Sequence, residues 1–140
     1  MATVLFVCKA NRGRSVMSQA LFERAAGGRH RAISAGSEAV PGGGPHPEVV
    51  AAMRELGIDV AAQAPQRLTT ELAARADAVI TMGCGDACPH VPGKQQLRED
   101  WDLPDPKERP LDEVRATRDD IDRRVRELLA ELDRGDAANQ

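Results

Sequence analysis

Four apolar runs alternate with four amphipathic stretches along the chain, and their order predicts its architecture. Val4-Leu5-Phe6-Val7 contains no polar position, the pattern of a strand covered on both faces. From Ser15 to Ala26 apolar residues return at helical spacing (Val16, Met17, Ala20, Leu21, Ala25), and Gly27-Gly28 stops the helix. Ala32-Ile33-Ser34 predicts a short strand ending at Gly36, and Gly42-Gly43-Gly44-Pro45 a loop. Pro47 suits a first helical position; Val50, Met53 and Leu56 form the apolar face and Gly57 ends that helix. Thr69 or Thr70 can cap a third helix running through Ala76. Ala78 to Met82 is expected to be another fully buried strand, and Leu97 to Leu103 to hold a fourth, less apolar one. Pro110 opens the last helix, with Asp112 and Glu113 in its first turn and Leu111, Val114, Ile121, Val125, Leu128 and Leu132 as its stripe.

Strands and helices in this alternation build an α/β fold, a parallel sheet with helices on both faces. Ligands of such sheets bind at the carboxyl ends of the strands. That rule places Cys8, the pair Cys84 and Cys88, and Asp105 on one rim, because each follows a strand. Residues 1–134 are expected to form one domain and 135–140 a loose tail.

Composition narrows the function. The chain has 140 residues, 41% of them apolar, enough for one core. No apolar run is long enough to span a membrane, and no basic segment precedes the first strand, so a cytoplasmic protein is expected. A net charge of -3 argues against nucleic acid as a partner. Yet Lys9, Arg12 and Arg14 crowd beside Cys8, with no acidic residue before Glu23, a local trap for anions. Three cysteines in a reducing compartment point to reactive thiols or metal ligands, not to a disulfide framework.

Cys8-Lys9-Ala10-Asn11-Arg12-Gly13-Arg14-Ser15 sits between the first strand and the first helix. A tight turn of this length aims successive backbone N–H groups inward, and the helix adds its positive N-terminus. The ring suits a tetrahedral oxyanion. Arg14 can fork onto two of its oxygens. The same field favours a thiolate at Cys8, to which Ser15 can donate its hydroxyl hydrogen. Asn11 is expected to hold the loop by side-chain bonds to the loop's backbone.

Gly83-Cys84-Gly85-Asp86-Ala87-Cys88-Pro89 leaves three readings open. With His90, the pair could be half of a zinc site, though no second ligand pair is present. The two thiols could be buried structural residues, which the flanking glycines disfavour. Or they could form a disulfide: helical residues four apart have Cα atoms near ~6 Å, inside the bridging range of ~4.4–6.8 Å. In Trp101-Asp102-Leu103-Pro104-Asp105-Pro106, Asp105 is a turn residue or, on the rim beside a thiolate, a general acid for the leaving oxygen. His30, His46 and His90 are read as surface residues.

Together these residues resemble the thioredoxin-coupled arsenate reductases built on the low-molecular-weight protein tyrosine phosphatase fold. The resemblance rests on Cys8 to Ser15, Ser34-Ala35-Gly36, Thr81 to Pro89 and Asp105-Pro106, and spans about residues 3 to 132. It implies a three-layer α/β/α fold with a four-stranded parallel sheet in the order 2-1-3-4. It implies arsenate bound in the Cys8–Ser15 loop against Arg14, attack by Cys8, and protonation of the leaving oxygen by Asp105. It further implies a relay from Cys8 to Cys84 to Cys88, reset by thioredoxin or a comparable thiol reductant, in a monomer without bound cofactor or metal. Gly13 stands where many relatives carry a further cysteine. Gln19 replaces an acidic residue that helps some relatives hold potassium, so no such ion is expected.

Two other classes remain in view. A phosphoester phosphatase would use Cys8, Arg14 and Asp105 identically and leave Cys84 and Cys88 idle. With no Tyr, two Phe and one Trp, the chain has little to wall an aromatic substrate. An oxyanion or redox sensor would need the loop but not Asp105.

Overall fold

The first strand forms where the sequence is most continuously apolar. In a computed structural model, which describes residues 1–83 and 97–138, it runs Thr3–Cys8 (β1) at the centre of the sheet. The remaining elements follow as α1 (Arg14–Ala26), β2 (Arg31–Gly36), α2 (Pro47–Arg54), α3 (Thr70–Arg75), β3 (Ala78–Thr81), β4 (Leu97–Asp100) and α4 (Leu111–Ala138). All strands are parallel, in the order β2-β1-β3-β4. Cys84, Cys88 and His90 lie outside the described residues.

Period-two alternation divides the core into two layers. Val4, Phe6 and Cys8 face α1, α2 and α4, whereas Leu5 and Val7 face α3 through Ala73 and Ala76. The sheet is therefore the middle of three layers. Phe6 packs edge-on against Phe22 of α1, with ring centroids 5.7 Å apart, and lies 5.8 Å from Trp101. Each such buried ring removes enough apolar surface from water to contribute about 2–3 kcal/mol. Among the described residues no helix is long and apolar enough to cross a membrane.

Most element ends follow local chemistry. Gly27 closes α1 in the left-handed conformation, φ 57°, and its N–H donates to the Glu23 carbonyl. Thr69, not Thr70, caps α3 by accepting from the Leu72 N–H at 3.1 Å. The strand expected within Leu97 to Leu103 is β4, Leu97–Asp100. Other expectations are corrected. The buried face of α2 is Val49, Ala52 and Met53; Val50 and Leu56 are only partly covered, because α2 lies against α4 on its other flank. Helix α4 continues through Gly135 to Ala138, where a loose tail was expected from residue 135. One glycine costs only about 1 kcal/mol in a helix, too little to end one this long.

His30, expected on the surface, is buried. Its Nδ1 accepts from the Ala2 backbone N–H at 3.0 Å, so the neutral ring carries its proton on Nε2, 2.8 Å from Asp133 Oδ1. It ties the start of β1 to α4.

The strand register places the ends of β1, β2, β3 and β4, namely Cys8, Gly36, Thr81 and Asp100, along one edge. There the chain leaving β1 lies directly on Gly36. A Cβ at that glycine would sit 2.5 Å from the Lys9 carbonyl oxygen and 2.9 Å from the Asn11 nitrogen. Neither neighbour is a flexible side chain that could move aside.

Gly36→Ala forces the backbone of residues 9–11 to shift and lowers stability by about 1–3 kcal/mol, as overpacking does; denaturant unfolding with an unchanged m-value would confirm it. Glu55 links α2 to α4: Arg115 and Arg118 both donate to its carboxylate and hold its pKa at about 2, against an ordinary 4.5. A carboxyl depressed on folding adds stability above its unfolded value and loses it as pH falls through its folded one. Glu55→Gln should therefore lower Tm at pH 7, and the gap to wild type should close between pH 4.5 and 2. A gap independent of pH would contradict this role.

Candidate active site

The loop from Cys8 to Ser15 turns from the end of β1 into α1, and neither end leaves it free to move. At one end, the Ser37 and Glu38 N–H groups donate to the carbonyls of Cys8 and Lys9. At the other, α1 starts at Arg14 with Gly13 before it, no side-chain cap and no acidic residue in its first turn. Its first N–H groups have no partner within the helix and point at the loop.

Asn11 is the internal post of the loop. It is buried and sits at φ 58°, a left-handed conformation that asparagine tolerates. The Gln66 backbone N–H donates to Asn11 Oδ1 at 2.9 Å. That bond fixes the orientation of the amide, because a backbone N–H can only donate. Asn11 Nδ2 must then face Ser15 Oγ, 2.8 Å away, and donate to it. Ser15 Oγ also lies 2.9 Å from Cys8 Sγ, and its hydroxyl can donate to the sulfur when Cys8 is a thiolate. Asn11 thus acts through a neighbouring segment and a side chain, not through its own loop's backbone as expected.

Behind this chain lies a second layer of amides. Gln66 Nε2 donates to the Ser34 carbonyl at 2.9 Å. Gln63 Nε2 and Ser34 Oγ both donate to Gln19 Oε1 at 2.6 Å. β2, α1 and the segment at 63–66 are fastened together beneath Cys8. Gln63 and Gln66 carried no sequence signal, since neutral amides in an aperiodic stretch look like any loop.

The three cations of the loop have separate fates. Arg14 is buried; its Nη1 donates to the Leu103 carbonyl at 3.2 Å and its Nη2 lies 3.7 Å from Asp105 Oδ2. It joins the loop to the segment after β4. Arg12 is turned away: its guanidinium donates to the carbonyls of Gly44 and Gly42, at 2.9 and 2.7 Å. It secures the glycine loop and adds no fork to the anion ring, contrary to the sequence reading of its charge. Lys9 is exposed.

Asp105 reaches the same rim, half-exposed, held by the Lys107 N–H donating to its Oδ1 at 3.0 Å. Pro106 then presses on Gly13: a Cβ there would lie 2.5 Å from Pro106 Cγ and 3.6 Å from His46 Cδ2. The missing side chain at residue 13 is what lets the acid segment rest on the loop. His46, read as a surface residue, lies at this contact, and its backbone N–H donates to the Arg12 carbonyl. Burial holds its imidazole pKa below the ordinary 6.5, against the pull of the Asp105 carboxylate.

Cys8, Asn11, Arg14, Ser15 and Asp105 are thus brought together. Cys84 and Cys88, with His90, fall outside the described residues, so the pair and the zinc reading are not placed by the structure. The chain approaches them through Gly83, φ 80°, where a Cβ would stand 2.7 Å from Arg14 Nη1. Among the described residues no group of three His, Cys, Asp or Glu could hold a metal ion. The arrangement suits nucleophilic attack by sulfur on a tetrahedral oxyanion centre, with a carboxyl poised at the leaving side.

Comparison with known proteins agrees with this geometry. A glutaredoxin arsenate reductase from Synechocystis sp. is 34% identical over 133 residues, covering 94% of this chain and 99% of that one. A thioredoxin-dependent arsenate reductase from Corynebacterium glutamicum superposes with a TM-score of 0.80 at 36% identity, covering 96% of this chain and 63% of that one. An arginine phosphatase from Geobacillus stearothermophilus superposes with a TM-score of 0.83 at 25% identity, covering 100% of this chain and 98% of that one. The model of the low molecular weight phosphotyrosine protein phosphatase family matches residues 3–138, and the chain belongs to that family.

Proposed function

We propose that this protein reduces arsenate to arsenite through three cysteines. The single observation that carries the chemistry is the Ser15 hydroxyl directed at the buried Cys8 Sγ, in a loop bridged by Arg14 to Asp105. Two further cysteines and the likeness to arsenate reductases turn that chemistry toward redox. The chain's three aromatic side chains, Phe6, Phe22 and Trp101, are all buried in the core. None is left to wall a phosphotyrosine ring, which favours a small inorganic oxyanion.

In the reaction, arsenate docks on the loop N–H groups and Arg14. The Cys8 thiolate attacks arsenic; Asp105 gives a proton to the departing oxygen, which leaves as water. Cys84 then attacks the Cys8 sulfur. The S–As bond breaks, its electron pair stays on arsenic, and arsenite leaves a Cys8–Cys84 disulfide. Cys88 attacks Cys84, frees the Cys8 thiolate and forms a Cys84–Cys88 disulfide. Thioredoxin or a comparable dithiol resets that bond by exchange. The protein works as a cytoplasmic monomer with no bound cofactor and no nucleic-acid or membrane partner.

A phosphatase reading is supported by the family model and by the likeness to an arginine phosphatase, and would use Cys8, Arg14 and Asp105 alone. Arsenate turnover with a thioredoxin system separates the two. Cys84→Ser and Cys88→Ser should abolish multiple turnover while leaving slow hydrolysis of a small aryl phosphate. Cys8→Ser should abolish both. Asp105→Asn should slow the chemical step by about 10²–10⁴-fold, the usual worth of a general acid. Normal cycling by both resolving-cysteine variants would refute the relay. Aryl phosphate hydrolysis by wild type without arsenate turnover would make the protein a phosphatase.

A further inference from the structure

The Arg12, Asn11, Gln63 and Gln66 contacts are structural, and Glu55 and His30 serve the packing of α2 and α4. One titratable side chain at the rim has no such use. His46 is fixed by its backbone on both sides: its N–H donates to the Arg12 carbonyl, and its carbonyl accepts from the N–H groups of Val49 and Val50 in the first turn of α2. Its ring is half-buried and shares with Pro106 the space over Gly13. No hydrogen bond holds that ring to a described residue; the packing alone places it.

The charges that face it are few. Asp105 and Lys107 come from the acid segment, Arg12 from the loop and Glu48 from α2. Asp105 and Glu48 favour the imidazolium; Arg12 and Lys107 disfavour it, and burial tips the ring toward the neutral form. Among the described residues, Asp105 is held by one backbone N–H and by Arg14 at 3.7 Å. A carboxyl so loosely held is easily drawn to a new cation.

We propose that His46 is a positioning residue for Asp105: as the neutral imidazole it packs with Pro106 over Gly13 and keeps the Asp105 carboxyl facing Cys8, and as the imidazolium it pairs with that carboxylate and withdraws it from the leaving oxygen. The proton comes from solvent, and no other reactant is needed. This rests on the reading of Asp105 as the general acid. It adds an acid-side limit to the reaction that neither Asp105 nor Cys8 would set alone.

The test uses two esters of different leaving group. Phenyl phosphate needs a proton on its departing oxygen; p-nitrophenyl phosphate needs it far less, and so serves as the internal control. His46→Asn should lower kcat for phenyl phosphate about fivefold more than for p-nitrophenyl phosphate. KM for both should stay within twofold. Wild type should lose phenyl phosphate activity on the acid side in step with the His46 ring titration followed by NMR, and His46→Asn should lack that step. A variant that keeps the step, whatever its kcat, would overturn the proposal. Asp105→Asn separates the two claims: if it leaves phenyl phosphate hydrolysis intact, the general-acid reading fails, and not merely the part given to His46. The NMR titration needs no activity. Removing the Asp105 charge should lower the His46 pKa further, and an unmoved titration would also overturn the proposal.

Discussion

The site depends on one close approach, the backbone of Lys9, Ala10 and Asn11 lying on Gly36 at the end of β2. A parallel sheet brings the ends of neighbouring strands level, and here the register sets Cys8 beside Gly36. With no side chain at Gly36, the loop drops onto the sheet and Asn11 comes within reach of the Gln66 N–H. From that contact the hydrogen bonds run in one direction, to Ser15 and then to Cys8 Sγ. The Ser15 hydroxyl meets Cys8 at the end of a chain of three hydrogen bonds, whose first donor, the Gln66 backbone N–H, has no other orientation to offer.

Burying such a chain is costly unless it is complete, since each unpaired buried polar group costs about 1–3 kcal/mol. Asn11 and Ser15 are nearly inaccessible to solvent, and both are bonded on each side. Completeness here serves orientation more than stability. The same economy appears at Gly13, where the absent side chain seats Pro106 and so brings Asp105 to the rim. Two glycines therefore place the two halves of the chemistry. The first sets the sulfur and the second sets the carboxyl.

Much of this was legible in the sequence. The apolar runs of β1 and β3, the stripe of α4, and the loop between β1 and α1 are periodic or locally coded, so they appear without tertiary information. Cys8, Arg14, Ser15 and Asp105 could be named because parallel topology brings the residues after each strand to one rim. What escaped was set by contacts distant in the chain. Arg12 looked like an anion ligand until the carbonyls of Gly42 and Gly44 claimed it. His30 and His46 looked like surface loops because their partners, Asp133 and the Asp105–Pro106 segment, lie far along the chain. The end of α4 was misjudged because one glycine was given more weight than the turns of helix before it.

A loop of this kind, taken alone, supports any attack by a thiolate on a tetrahedral oxyanion. The step from that chemistry to reduction rests on whether a second cysteine of the chain takes the sulfur of Cys8 from arsenic and leaves the chain with a disulfide. A single turnover answers this most directly: reduced protein is mixed with arsenate in the absence of any thiol reductant, and arsenite and free thiols are counted. The account predicts one arsenite released per chain, two thiols lost, and an intramolecular disulfide seen by mass spectrometry. Recovery of all thiols with no arsenite formed would contradict it.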